Sequence, residues 1–411
     1  MSRDGEAERD TQATVAAILA EVRAEGLPAV LRHSQRLDGV CLEPGTLRVP
    51  PQRCRESLER LRKERPALIS ALEDMSRGIR RFAEAQRAAL QDVTLSLPGG
   101  GTVGERWVPL GSVGVYVPGG RAFYPSTLAM TVIPAQVAGV PRIVAVTPPR
   151  PEGADPLVLA TAALLGLEVL VTLGGAQAVG WLAFVEEVDL VAGPGNRFVA
   201  EAKRQIQGAC GIDSVAGPTE VLVLADGGAD PDRVAEDLLA QAEHDPDAAS
   251  VLVSDDEGLL QAVARRLAAR VEDSPRRDIL RASLSRHGRL VLADRETAVE
   301  LARLWAPEHL ELQVRDPEAW LPGLLTAGAV FIGSDSAEAF GDYGAGPNHV
   351  LPTNRSARFS SPLGVATFLK RQSLIRLSAD DAATLAPWVA ELAVAEGLPH
   401  HAQSARLRAP R

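Results

Sequence analysis

The residues of this 411-residue chain best equipped for chemistry are a few histidines and carboxylates in short polar stretches: Gln241-Ala-Glu-His244-Asp-Pro, Pro307-Glu308-His309, Asp342 with His349, and His400-His401. With only seven histidines in the chain, their grouping with carboxylates and with helix or loop breakers predicts one site assembled from distant segments. Gln241 and His244 end a helix-like run that Asp245-Pro246 cannot continue, and three residues apart they share a face. Taken alone, they read as a polar last turn with His244 favoured by the helix dipole. If they converge with Asp342 and one C-terminal histidine, they form an N/O donor set for a borderline divalent ion such as zinc, exchangeable because no thiolate joins it.

Asp342 lies among glycines, where backbone freedom lets a carboxylate project, and His349 follows seven residues later. On its own this is an Asx-type turn. Glu308 and His309 precede an alternating run, Leu310-Glu311-Leu312. Neighbours on an extended chain point to opposite sides, so the pair is expected to serve separate proton transfers rather than to form a dyad; a helix-capping or solvated pair is the plain alternative.

Glycine-rich turns follow strand-like runs at Tyr116-Val-Pro-Gly-Gly120, Gly174-Gly175-Ala176-Gln177 and Gly193-Pro-Gly195-Asn196. The last approaches the dinucleotide fingerprint but lacks its third glycine. Each turn alone serves geometry as readily as function, but three in one lobe point to a nucleotide, whose phosphate or ribose can approach the bare backbone.

The elements that must position these groups are legible in outline. Apolar spacing predicts helices over the first ninety residues, including 58–90, with Gly26 and Pro98 as stops. Short Val/Ile/Leu strands are then expected at 114–117, 143–146, 169–173, 188–191, 221–224, 251–254, 290–292 and 329–332, alternating with helix-length segments. That alternation predicts an α/β fold with two Rossmann-like parallel-sheet lobes. Residues 216–220 read as the junction between the lobes, 334–364 as a long functional loop, and 380–396 as a last helix before a tail that breaks away. The expected divisions are 1–98, helical and packed on the first lobe; 99–220, the lobe with the nucleotide turns; 221–358, the lobe with the metal and catalytic residues; and 359–411, the tail.

Composition narrows the partners. A net charge of −10 and no long Lys/Arg block argue against nucleic acid. The stretch 157–185 carries only Glu168 as a charge, but its glycines cut it into helix and strand lengths, so it reads as buried core and not as a membrane span. Cys41, Cys54 and Cys210, odd in number and without a Cys-x-x-Cys pair, fit neither a disulfide framework nor a thiolate zinc site. With a charged N-terminus lacking a signal-peptide run, the expected compartment is the cytoplasm.

In order along the chain, Tyr116-Val-Pro-Gly-Gly-Arg121, Leu173-Gly-Gly-Ala-Gln-Ala, Ala192-Gly-Pro-Gly-Asn, Ala216-Gly-Pro-Thr-Glu-Val, Gln241-Ala-Glu-His-Asp-Pro, Ala306-Pro-Glu-His-Leu and Gly346-Pro-Asn-His-Val-Leu-Pro resemble the histidinol dehydrogenases. The resemblance implies oxidation of L-histidinol through the aldehyde to L-histidine with NAD and one bound zinc ion per subunit. It implies zinc ligands Gln241, His244, Asp342 and His401, the last chosen over His400 by the spacing Glu396-x4-His401. Substrate contacts carried over are Thr219, Gln241, His244, His309, Asp342, His349, Glu396 and His401, and Tyr116, Gln177 and Asn196 match the NAD-contacting positions. Glu308 and His309 are then the catalytic pair. The tail is expected to complete the site of a second copy, in an obligate homodimer. A dehydrogenase of another small polar alcohol in the same family is the alternative; a zinc hydrolase would leave the three glycine-rich turns without a role.

Overall fold

The structure, a computed structural model, describes residues 5–119, 124–150 and 153–409; Gly120 and Arg121 of the first glycine-rich motif lie outside the described residues. Two parallel sheets organise it. The first runs, edge to edge, Arg48–Val49, Val169–Thr172, Arg142–Thr147, Ser112–Tyr116, Leu190–Ala192, Gly211–Ile212, with only Arg48–Val49 antiparallel to its neighbour. The second runs Arg289–Leu292, Ala249–Ser254, Glu220–Ala225, His309–Gln313, Ala329–Ile332, parallel throughout. In both, the parallel strands follow the order 3-2-1-4-5, so the direction of winding reverses beside the first strand. Residues 213–219 carry the chain from one sheet to the other.

The expected strands all form, with edges moved by a residue or two, because continuous apolar runs fit strands covered on both faces. Val113, Val115, Val144 and Val171 have no exposed surface. The N-terminal helices divide between the faces of the first sheet. Gly5–Glu25 and Leu27–Asp38 pack Val15, Ile18 and Val30 with Trp181 and Leu182, while Pro51–Glu64 and Pro66–Ala89 pack Leu58, Ile69 and Ile79 with Leu128 and Ile133.

Several expectations need correction. The run 58–90 is two helices, broken at Arg65, which the following Pro66 holds out of the helical region at φ −138° and ψ 61°. Nor does the second reach Pro98: it ends at Ala89, and Val93–Ser96 begins a third sheet, antiparallel, in the order Leu369–Arg376, Thr102–Pro109, Val93–Ser96. The polar stretch 334–364 is no continuous loop, because it holds the helix Glu338–Tyr343 and the turn Ser356–Arg358. The tail does not break away as irregular chain. After Gly397, at φ 74°, Pro399–Arg406 folds back as a helix on Ala379–Ala395, with Ala402 buried against Ala390 and Ala393. The root of this hairpin is fixed by the Asp381 carboxylate, which accepts the N–H groups of Gly99 and Gly101, each at 2.7 Å.

Candidate active site

The two sheets turn opposite edges to function. The glycine-rich turns lie at the carboxyl ends of the first sheet's strands, where open α/β sheets bind ligands, with the turn at Gly193 beside the reversal point. The second sheet instead offers its N-terminal edge. Glu220 and His309 are the first residues of adjacent strands, Thr219 and Glu308 immediately precede them, and the helix Pro231–Ala242 runs back to deliver Gln241 and His244 to the same edge.

A strap from Asn348 to Asn354 joins this edge to the first lobe. Asn348 Nδ2 donates to the Met130 carbonyl at 2.6 Å, and His349 Nε2 lies 3.4 Å from Thr127 Oγ1, both partners being on the helix Pro125–Ala138. Thr353 Oγ1 accepts the Gly217 N–H, and the Asn354 N–H donates to Glu220 Oε1. His349 Nδ1 also stands 3.6 Å from Asp342 Oδ1.

At the centre, the Thr219 hydroxyl donates to Glu308 Oε2 at 2.5 Å and the Glu220 N–H donates to the same oxygen at 3.1 Å. Burial pushes the Glu308 carboxyl up to about 8 despite these donors. His309 is buried too, and burial pushes its imidazole down to about 4. Its Nδ1 lies 3.3 Å from the Glu220 carbonyl. A carbonyl only accepts, so Nδ1 carries the proton and Nε2 is left as the basic nitrogen. Glu308 and His309 were expected on opposite sides of a strand. Glu308 instead occupies a bend before the strand begins, where alternation does not apply, and its Oε2 comes within 3.6 Å of His309 Nδ1.

Glu338 is the residue that sequence reasoning missed. It and Asp342 are four apart on the helix Glu338–Tyr343 and so share a face, and His244, Glu338 and Asp342 present donor atoms all within 4.8 Å of one another. The signal was available as Glu338-x3-Asp342, but it is hidden in a glycine-rich polar stretch that reads as loop. Glu338 is raised well above the ordinary carboxylate range by burial, reinforced by Asp342, Glu311 and Glu308. Burial also pushes Glu311 up to about 8, with Asp237 beside it adding to the effect. Asp342 is drawn the other way. Burial raises it, but His349, His309 and His244 together bring it below its usual value. The Gln241 amide is oriented with its nitrogen toward Glu338, donating to Oε2 at 3.0 Å, and its oxygen toward the Glu220 N–H at 2.6 Å.

The remaining sequence candidates are placed less uniformly. Tyr116 and Gln177 are buried: the Tyr116 hydroxyl accepts the Gly175 N–H of the turn at 3.1 Å, and Gln177 Nε2 donates away from it, to Asp38 Oδ2 at 3.1 Å. Asn196 is exposed and caps the helix Arg197–Ile206, accepting from the N–H groups of Phe198 and Val199. Glu396 and His401 are exposed on the tail hairpin, and among the described residues His401 is not in the donor cluster.

A buried acid beside an imidazole, next to a compact His/Glu/Asp donor cluster in a chain that also carries glycine-rich βα turns, suits proton transfer coupled to hydride transfer. Known proteins agree with that chemistry. The sequence model of the family described as histidinol dehydrogenase matches residues 1–409. Histidinol dehydrogenase of Bordetella parapertussis is 46% identical over 412 residues, covering 98% of this chain and 92% of its own. That of Pseudomonas aeruginosa is 46% identical over 398 residues, covering 95% and 89%. The crystal structure of histidinol dehydrogenase from Elizabethkingia anophelis superposes with a TM-score of 0.90 at 32% identity, over 99% of this chain and 93% of that one. A putative methylmalonate-semialdehyde dehydrogenase from Sinorhizobium meliloti, at 14% identity and a TM-score of 0.51, shares the fold alone. Matched along nearly its whole length by the family's sequence model and by these relatives, the chain belongs to the histidinol dehydrogenase family.

Proposed function

We propose that this protein is a cytoplasmic, zinc-dependent homodimer that oxidises L-histidinol through L-histidinal to L-histidine with NAD, in the last steps of histidine synthesis. Family membership makes it an NAD-linked oxidoreductase. The observation that carries the finer reading is the Thr219–Glu308–His309 group, its acid and imidazole buried, together with the donors of His244, Glu338 and Asp342. The segments 1–98, 99–220, 221–358 and 359–411 are its working units, with the coenzyme on the second and the metal and catalytic residues on the third.

The donor set fits a divalent cation. Nitrogen and carboxylate oxygens without thiolate suit zinc, and a cation would offset the burial and the neighbouring acids that together hold Glu338 well above its ordinary range. By the family resemblance the ion would be held by Gln241, His244, Asp342 and His401 from a second copy, with Glu338 as a further donor. The coenzyme would lie along the turns of Tyr116, Gln177 and Asn196, where Gly175 and Gly193, both at positive φ, let the backbone come close. When bound, NAD supplies the hydride acceptor and zinc a positive charge that fixes the substrate's imidazole and amine.

His309 Nε2 takes the proton of the primary hydroxyl as hydride leaves the carbinol carbon. The aldehyde then adds water, whose proton passes to the Glu308 carboxylate, oriented for that task by Thr219 and the Glu220 N–H. Once His309 has passed its first proton to solvent, it takes the hydrate's proton as the second hydride leaves for a second NAD, giving the carboxylate product. Asp342, His349 and Gln241 line the substrate's place, and Glu396 and His401 close it from the other subunit. In support of exchange, the tail and its root expose Ile375, Trp388, Leu392, Val394 and Leu407, an apolar set that a single chain leaves uncovered.

The test is the NADH formed per L-histidinol consumed, before and after chelation and zinc replacement. Two NADH per substrate, lost on chelation and restored by zinc, supports the reading. Reduction of NAD by another alcohol but not by histidinol would overturn the substrate assignment.

A further inference from the structure

Lys203 and Asp213 form an ion pair whose side chains are only 1% and 2% exposed. Burying two charges strips both of their hydration, and apolar side chains of similar volume would stabilise the fold at least as well. What the pair adds is geometry. Lys203 Nζ, besides meeting Asp213 Oδ1, donates to the Gly193 carbonyl at 2.8 Å, while Asp213 Oδ2 accepts the Gly193 N–H at 2.8 Å. Both backbone groups of one glycine are therefore held by the two ends of one ion pair. Asp213 is itself fixed, accepting the Ser214 N–H at 2.7 Å and donating its own N–H to the Val191 carbonyl at 3.3 Å.

Gly193 leads the glycine-rich turn at the sheet's reversal point. Its φ is 113°, and a Cβ there would stand 2.2 Å from the Tyr116 carbonyl oxygen, so the turn lies directly on the end of the strand Ser112–Tyr116. Three residues later Asn196 caps the helix Arg197–Ile206, on which Lys203 sits. Strand end, turn and helix thus form a closed circuit, and a shift of Gly193 carries Asn196 with it.

We infer that Lys203 and Asp213 are positioning residues that set the Gly193–Asn196 turn for the coenzyme. The inference rests on the reading that NAD meets this turn. Two double variants separate positioning from plain support, because both remove the charges and only one keeps the hydrogen bonds to Gly193. Lys203→Met/Asp213→Leu fills the space without polar groups; Lys203→Gln/Asp213→Asn retains a donor for the carbonyl and an acceptor for the N–H. NADH binding by fluorescence titration, KM for NAD, KM for histidinol and Tm are measured on the zinc-loaded enzyme. The apolar pair should raise Kd for NADH and KM for NAD about tenfold, with KM for histidinol at the wild-type value and Tm not reduced, and the amide pair should return coenzyme affinity toward wild type. Equal coenzyme affinity in the two pairs overturns the inference, as does a rise in both KM values together. If the apolar pair fails to fold, the amide pair decides against Lys203→Gln alone, which keeps the donor but leaves Asp213 a buried, unbalanced charge: coenzyme affinity restored by the second substitution supports positioning, and no restoration refutes it. A wild-type enzyme that does not bind NADH would instead condemn the coenzyme reading itself.

Discussion

The Thr219 hydroxyl and the Glu308 carboxyl are joined just ahead of two adjacent strands of the second sheet, donor to acceptor, at 2.5 Å. The bond fixes which face of the carboxylate is offered to the substrate and holds it near His309 without occupying the imidazole's basic nitrogen. Two proton acceptors thereby serve one small volume in different directions.

That division has a kinetic signature. Glu308→Gln should leave the first hydride transfer largely intact and slow oxidation of added L-histidinal by about 10²–10⁴, the usual contribution of a positioned base. His309→Asn should slow both oxidations by similar factors. Single-turnover NADH formation from histidinol and from histidinal separates the two, and equal losses at the same step in both variants would sink the assignment.

The acid side of the pH profile follows from His309. A base must be neutral to act, so the first oxidation falls as pH drops through its pKa. Burial moves that pKa from the ordinary value of 6.5 to about 4, and a cation nearby would press it the same way. Single-turnover oxidation of histidinol should therefore persist well below pH 6.5. An acid limb at or above free imidazole would show that His309 is more solvated than the structure has it, or is not the base.

Metal dependence should track the cluster. His244→Ala and Asp342→Asn are each expected to weaken zinc retention by about 10–100-fold or more, with the NADH yield recovering at raised zinc. Glu338→Gln should retain zinc better than either, since by the family resemblance His244 and Asp342 are ligands while Glu338 is only a further donor beside them. Metal content after dialysis against a graded chelator gives the ranking, and a Glu338→Gln protein that loses zinc first would make Glu338 a principal ligand.

The tail can be tested by mixing. A chain cut after Gly397 should keep its lobes folded but bind no histidinol, and His309→Asn alone should be nearly inactive. If the tail crosses to another copy, unfolding and refolding the two together yields mixed dimers with one intact site, and activity reappears. No recovery from a mixture shown to contain mixed dimers would place the tail on its own subunit.

How much of this was legible beforehand depended on which force dominated locally. The parallel strands could be read because burial on both faces demands unbroken apolar runs such as 221–224. The antiparallel sheet could not: Leu369–Arg376 is exposed at every position after Leu369 and carries Lys370, Arg371 and Arg376, so its pairing with Thr102–Pro109 rests on backbone bonds that leave no pattern in side-chain type. At the site, His244, Glu308, His309 and Asp342 announced themselves by chemistry. Glu338, Glu311 and Asp237 did not, because a carboxyl whose pKa burial raises looks in sequence like any solvated acid. The side on which Glu308 would project was misjudged for a smaller reason, the bend that delays the strand by one residue.

The strap from Asn348 to Asn354 is bonded to a helix of the first lobe at one end and to the edge of the second sheet at the other. Neither lobe can then loosen without straining the other, so the two should melt as one cooperative unit and the site at their junction should keep its shape through the catalytic cycle. An enzyme that must hold a reactive aldehyde between two oxidations gains from such a tie, since an intermediate escapes most easily when the parts around it swing away from one another.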